Sequence, residues 1–177
     1  MKEGPERIRS ILAALDISED LIRTRSLPFC AEAEELVVVE VGDDSRDHRL
    51  TPEAATAWRS MRAAALADGV VIQIASAFRS IDRQVEIVRE KLAAGASLAE
   101  ILSASAPPGY SEHHTGRAVD ITTDGVAPFE VEFEQTAAFA WLSENAARFG
   151  FVLSFPPGNA HGYQYEPWHW RYEASSA

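Results

Sequence analysis

The sequence predicts a single α+β domain, a mostly antiparallel sheet flanked by helices. Short β-branched or aromatic runs occur in irregular order among segments whose apolar residues recur at helical spacing. A tight turn at Pro156-Pro157-Gly158 separates two of the late segments, as a connection between neighbouring antiparallel strands would. With 177 residues, 46% of them hydrophobic, the chain is long enough for one core and too short for two ordinary domains.

The elements follow in order. Ile8, Ile11, Leu12 and Leu15 keep the spacing of an amphipathic helix. The apolar run Ile11 to Leu15 is shorter than the ~7–15 residues of a secretory core. No uncharged apolar stretch approaches the ~18 residues that span a bilayer. These features predict a soluble chain, cytoplasmic as given or exported with its leader removed. Leu36 to Val41 reads as a strand ended by Gly42-Asp43-Asp44-Ser45, with an acidic loop after it. Thr51 before Pro52 is a helix start, with Ala54, Trp58, Met61 and Ala65 on one face and Gly69 as the stop; Trp58 reads as core. Val70 to Ala75 reads as a buried strand that delivers Ser76 and Arg79 to its end. Ser80 then caps a helix with Ile81, Val85, Val88 and Leu92 inward, closed by Gly95.

Ser97-Leu98-Ala99-Glu100 has the capping-box pattern of a short helix, and Pro107-Pro108-Gly109 forces a loop. Ala118-Val119-Asp120-Ile121 alternates as a strand, with Asp120 and Ala118 on one face. Phe139, Leu142, Ala146 and Phe149 mark a last helix stopped by Gly150. Phe151 to Phe155 and Trp168 to Tyr172 supply two more strands. Residues 1–50 read as an extension that belongs to the same domain as a core over 51–173, and 174–177 as a frayed tail.

Charge and cysteine content narrow the function. A net charge of −11 argues against nucleic-acid and anionic-membrane partners, which call for a basic patch. Cys30 is the single cysteine, so no disulfide forms within the chain, and a buried inert thiol is expected.

Two fragments carry the chemistry: Ser111-Glu112-His113-His114-Thr115-Gly116-Arg117-Ala118-Val119-Asp120 and Glu166-Pro167-Trp168-His169-Trp170-Arg171. Two imidazoles and one carboxylate fill three of zinc's four tetrahedral positions and leave the fourth for water. Glu166 is then free to act as a base. One His–Asp pair alone is more often a structural couple than a ligand set. The second fragment shifts that balance, because Pro167 keeps Glu166 out of a helix and a regular strand would turn Glu166 and His169 to opposite faces. Both reach one metal only if Glu166 lies in the loop that enters the strand of His169. In an extended segment His113 and His114 point to opposite sides, so only one of them faces Asp120. His48, inside the charged run 43–48, reads as part of a solvated loop, and His161 as a loop residue near a cleft.

These fragments, with Ser76-Ala77-Phe78-Arg79-Ser80 and Gln84 ahead of them, resemble the VanY/LdcB-like zinc D-alanyl-D-alanine carboxypeptidases and dipeptidases, the LAS-type metallopeptidases that trim peptidoglycan stem peptides. The resemblance covers roughly residues 52 to 172. It implies one Zn²⁺ per chain on His113, Asp120 and His169, leaving His114 behind the ligands or facing solvent. It implies Glu166 as general base and Arg79 as the grip on the substrate's terminal carboxylate, with Gln84 and Ser111 hydrogen-bonding the substrate. The expected substrate is a stem peptide or another D-Ala-D-Ala-terminated peptide, cut as a D,D- or L,D-carboxypeptidase by a monomer. The alternatives are a D-alanyl-D-alanine dipeptidase, an endolysin-type endopeptidase, and a catalytically silent zinc module that binds cell-wall peptides.

Overall fold

The computed structural model describes residues 5–42 and 45–174. Asp43, Asp44 and most of the expected tail lie outside them. The chain opens with α1 (Pro5–Ala14) and α2 (Glu19–Thr24), the latter capped by the Ser18 hydroxyl, which accepts from the Leu21 N–H. Six residues are too few to show a helical period, so α2 leaves no signal in the sequence. Ile8, Leu12 and Leu15 pack against Ile81, Val85 and Val88 of α4 (Ile81–Ala93) and Ile101 and Leu102 of α5 (Leu98–Ala104). The caps on Ser80 and Ser97 are both present, the second as a full capping box.

Strand β1 (Val37–Val41) pairs antiparallel with β2 (Asp47–Leu50). The charged run was expected to be a solvated loop, and here the structure differs. His48 and Leu50 point inward while Asp47 and Arg49 face water, so a period of two was hidden among charged residues. Helix α3 (Pro52–Ala67) follows, with the Thr51 side chain accepting from Ala54 N–H.

The second sheet has the order β3 (Gln73–Ser76), β4 (Ala118–Thr122), β6 (His169–Tyr172), β5 (Phe151–Leu153), antiparallel throughout. Strand β3 starts later than its apolar run, since the Val70 N–H is still tied to the Ala65 carbonyl in the turn that ends α3. The helix expected up to Phe149 is α6 (Ala137–Asn145), continued by a 3₁₀ turn over Ala146–Phe149. Another short 3₁₀ turn, Val131–Gln135, buries Phe133 and was not foreseen.

Alternation along β4 and β6, with a register shift between Ile74 and Ser76 in β3, separates core from chemistry. Ile74, Val119, Ile121 and Trp170 join Trp58 and Met61 of α3 and Leu142 of α6 in the main core. Trp58 is fully buried and meets Phe151 edge-on, with 6.4 Å between ring centroids. Ser76, Asp120 and His169 are cross-strand partners in one row, and all three line the cleft.

Cys30, Ala33 and Thr51 strap the loop that leads into β4. Cys30 N–H donates to the Gly109 carbonyl, Ala33 N–H to His114 and Thr51 N–H to Gly116, at 2.8, 2.9 and 2.9 Å. The Glu32 carboxylate accepts from Ile81 N–H at the start of α4. Cys30 is buried, which pushes its thiol up to about 11, as an inert core cysteine requires. Gly116 ends the 3₁₀ turn Glu112–Thr115 at φ +63, and a Cβ there would sit 2.8 Å from Leu36 Cδ2 and 3.1 Å from Ala33 Cβ. Gly116→Ala combines left-handed strain with overpacking, so it is expected to lower stability by about 2 kcal/mol or more. Urea denaturation checks this, and a change within about 0.5 kcal/mol, ordinary for a neutral surface site, would contradict it.

Candidate metal centre

Asp120 sits between two imidazoles. Its Oδ2 lies 3.1 Å from His113 Nε2 and its Oδ1 3.0 Å from His169 Nδ1. One ligand atom from each of the three residues can be chosen so that all lie within 4.8 Å of one another, the one such buried cluster among the described residues. The outer ring nitrogens are already engaged: His113 Nδ1 with the Ala77 carbonyl at 2.7 Å, His169 Nε2 with Glu112 Oε2 at 2.9 Å. With the outer nitrogen held by an acceptor, the nitrogen facing Asp120 is the one whose lone pair becomes available to a metal once its proton is displaced. Two imidazole nitrogens and a carboxylate converging in this way fit a tetrahedral zinc with one position left open.

Glu112 escaped the sequence reading. Its Oε2 also accepts from the Ser154 hydroxyl at 2.6 Å, and its Oε1 lies 3.0 Å from Arg171 Nη1. Burial works to raise its pKa, but the hydrogen bond to His169 and the charges of His169 and Arg171 outweigh that and hold it at about 2. For His169, burial works against the charged form, yet the flanking carboxylates Asp120 and Glu112 raise it to about 10. Asp120 is driven well below the usual carboxylate range by His113 and His169, against its own burial. A metal entering this site therefore displaces a proton. The available signal was the position of Glu112 directly before His113, but a search for ligands passes over the residue that holds a ligand from behind.

His114 does not face solvent. The segment Glu112–Thr115 is a 3₁₀ turn and not an extended strand, so consecutive side chains diverge without pointing to opposite sides. His114 is fully buried; Gly109 N–H donates to its Nε2 at 3.2 Å, and its Nδ1 faces the Arg79 carbonyl at 2.6 Å. Both nitrogens are thereby engaged away from the cluster. Burial lowers its pKa to about 4.

Glu166 occupies the loop that enters β6, with its Oε2 3.8 Å from His169 Nδ1. A β-turn makes this possible: His169 N–H donates to the Glu166 carbonyl, with Pro167 at the second position, and Trp170 Nε1 donates to the Pro167 carbonyl at 2.9 Å. Burial raises the Glu166 carboxyl to about 7. Arg79 Nη1 donates to Gln84 Oε1 at 2.9 Å and Nη2 to Ser76 Oγ at 3.1 Å, both neutral acceptors. Gln84 is fully buried, and its Nε2 donates to the Ala106 carbonyl at 2.7 Å. Ser111 is buried at the cleft wall, and its side chain caps nothing.

The triad, Glu166, Arg79 and Ser111 all line one cleft of about 1380 Å³. His48 also lines it, buried in β2 and not part of the cluster. His161 lies in the loop before Tyr163, where its carbonyl accepts from Arg25 Nε at 2.6 Å.

Residues 47–175 match the family model for VanY, D-alanyl-D-alanine carboxypeptidase. The chain belongs to this family. It is 36% identical over 144 residues to the D-alanyl-D-alanine carboxypeptidase of Enterococcus faecalis, covering 76% of this chain and 52% of that protein. The chain thus spans about half the length of that curated relative. Among solved structures, the LdcB LD-carboxypeptidase aligns with a TM-score of 0.72 at 32% identity, over 82% of this chain and 71% of that one. A mutant of the vancomycin-resistance D,D-pentapeptidase VanY in complex with Zn(II) aligns with a TM-score of 0.61 at 35% identity, over 78% of each chain. Its metal agrees with the donor set found here. No helix among the described residues is long and apolar enough to cross a membrane.

Two outcomes follow from the geometry. Glu112→Gln keeps an acceptor for His169 but removes the charge, and is expected to weaken zinc binding about 10–100-fold, the range typical for partners that orient a ligand. Competition with a chromogenic chelator measures it, and unchanged affinity would mean that Glu112 only fills space. The second outcome concerns pH. His114 titrates near 6.5 when unfolded and near 4 when folded, so above 6.5 it adds nothing to pH dependence. As pH falls from 6.5 towards 4 the unfolded state takes up the proton first and stability drops. His114→Gln removes that titration, so the stability gap between wild type and variant should narrow over this window in urea melts.

Proposed function

We propose that the chain is a zinc carboxypeptidase that releases a C-terminal D-alanine from peptidoglycan stem peptides. The observation that carries this reading is the convergence, in one cleft, of the His113–Asp120–His169 cluster, a buried Glu166 3.8 Å from His169, and an Arg79 whose side-chain hydrogen-bond partners among the described residues, Gln84 and Ser76, are neutral. Family membership supports it.

Zinc held by His113, Asp120 and His169 supplies a Lewis acid for the scissile carbonyl and lowers the pKa of water. The chain's own groups do the rest. Glu166, made more basic by burial, accepts a proton from the water whose oxygen attacks the carbonyl carbon. As the C–N bond breaks, Glu166 passes that proton to the leaving nitrogen, so acid and amine products balance.

Arg79 grips the terminal carboxylate. Each of its Nη atoms spends one N–H on Gln84 or Ser76 and keeps another, which suits a bidentate carboxylate. Gln84 has its amide anchored to Ala106, and its part in this scheme is to fix the guanidinium rather than to touch substrate. Ser111 offers a hydroxyl to the substrate from the cleft wall.

Glu166→Gln is expected to retain zinc while turnover falls by about 10²–10⁴-fold, the contribution of a positioned general base. Product mass after incubation with tetra- and pentapeptide stems and D-Ala-D-Ala reads the activity and separates carboxypeptidase from dipeptidase. A wild-type chain that binds zinc but cuts none of them would be the silent binding module. Amidating the substrate's C-terminus and Arg79→Lys should each depress kcat/KM, with effects far from additive because both remove one contact. Efficient cleavage of the amidated peptide would instead favour an endopeptidase.

A further inference from the structure

We propose that Lys91 is a second carboxylate grip, further out along the cleft than Arg79, and that it lets the same site release a dipeptide from a substrate extended by one residue. The inference rests on the carboxypeptidase reading, which sets the leaving group on the Arg79 side.

A relay of contacts leads from the metal cluster to Lys91. Ser76 pairs across the sheet with Asp120, and its Oγ accepts from Arg79 Nη2 at 3.1 Å. Arg79 Nη1 donates to Gln84 Oε1, and the Gln84 amide is anchored on the Ala106 carbonyl at 2.7 Å. The residue next to Ala106, Ser105, accepts from Lys91 Nζ at 2.7 Å through its hydroxyl. The order outward is therefore Asp120, Arg79, Lys91. Gln84 and Lys91 share one face of α4, two turns and about 10 Å apart along its axis. Helical side chains lean back towards the N-terminus, which brings the Lys91 ammonium nearer to Arg79 than that.

The charge of Lys91 is left open by the chain. Arg83, Ile87 and Lys91 recur at helical spacing and line the cleft together. Arg83 is neutralised by Glu86 and Glu90, at 2.9 and 2.8 Å. Lys91 forms no ion pair among the described residues, although a net charge of −11 makes carboxylates plentiful. Partial burial and the Arg79 charge lower its pKa while Glu166 acts the other way, as suits an ammonium on the cleft wall near both. Two cations in one cleft, each with neutral hydrogen-bond partners, call for anions from outside. One more residue of extended peptide carries a terminal carboxylate about 3.5 Å further, past Arg79 towards Lys91. Lys91 is exposed, so it meets that carboxylate at the rim, and an ammonium accepts it from several directions. Arg79 then turns its spare N–H groups to the carbonyl of the added peptide bond. Water adds across the bond before the last two residues, hydroxyl to the acyl carbon and proton to the leaving nitrogen, as in release of a single residue.

The test uses the zinc-loaded protein and peptides of one body that end in D-Ala, in D-Ala-Gly or in D-Ala-Gly amide, with products read by mass. Wild type should release D-Ala-Gly as an intact dipeptide and the amide about five- to tenfold more slowly, the effect of one charge-assisted hydrogen bond at a half-exposed site. Lys91→Met should lower the ratio of D-Ala-Gly to D-Ala release by about the same factor and erase discrimination against the amide, and Lys91→Arg should restore most of both. A wild type that releases D-Ala but no dipeptide, or a ratio unmoved in Lys91→Met, would overturn the proposal. A further peptide ending in D-aspartate puts the second carboxylate on a side chain, and Lys91 dependence confined to that peptide would overturn the two-residue assignment. Equilibrium binding to the Glu166→Gln protein separates the two readings. If D-Ala-Gly peptide binds more tightly than its amide only when Lys91 is present, while wild type releases nothing from any peptide, the carboxypeptidase reading fails and the Lys91 contact stands.

Discussion

A carboxylate buried in a sheet needs partners for both oxygens, and Asp120 finds them in His113 and His169, one on each oxygen. Left unpaired, such a charge would cost several kcal/mol. The surrounding structure is arranged to deliver the two rings. Strand register places His169 directly across from Asp120, and the 3₁₀ turn before Gly116 swings His113 back over the end of β3. Behind each ring stands an acceptor, a carbonyl for His113 and a carboxylate for His169. Glu112 in turn is neutralised by Arg171 from the same strand as His169. The polar chain Arg171–Glu112–His169–Asp120–His113 thus crosses the site with each charge answered by the next.

That chain also explains why the N-terminal segment matters to the site. The backbone that carries His113 is irregular and would otherwise leave carbonyls without partners. Residues from Cys30 to Thr51 supply donors to Gly109, His114 and Gly116, so the ligand loop is held from outside as well as by its own turn. Opposite it, the β-turn Glu166–His169 holds the residues proposed as base and ligand three positions apart. Rigid placement of both segments is what a catalytic constellation requires.

Much of this was legible in the residues. Caps at Thr51, Ser80 and Ser97 marked helix starts correctly, because capping is local chemistry. The loop position of Glu166 followed from Pro167, whereas the choice of His113 over His114 for the trio came from the family resemblance and not from spacing. What failed depended on tertiary context. His114 was assigned an extended backbone, whereas the turn that buries it is set by contacts with Gly109 and Arg79. His48 looked solvated because charged neighbours masked its alternation, and β2 exists only through pairing with β1. Glu112 was invisible as a functional residue, since its role lies in a contact with His169 57 residues away.

The cluster's assignment is tested most directly by a crystal structure of the zinc-loaded protein, with anomalous maps recorded on both sides of the zinc absorption edge. A single zinc peak among His113 Nε2, Asp120 and His169 Nδ1, with Glu112 still on His169 Nε2, is the predicted result. A peak at His114 or His48, or zinc reached through His169 Nε2 with Glu112 displaced, would contradict it.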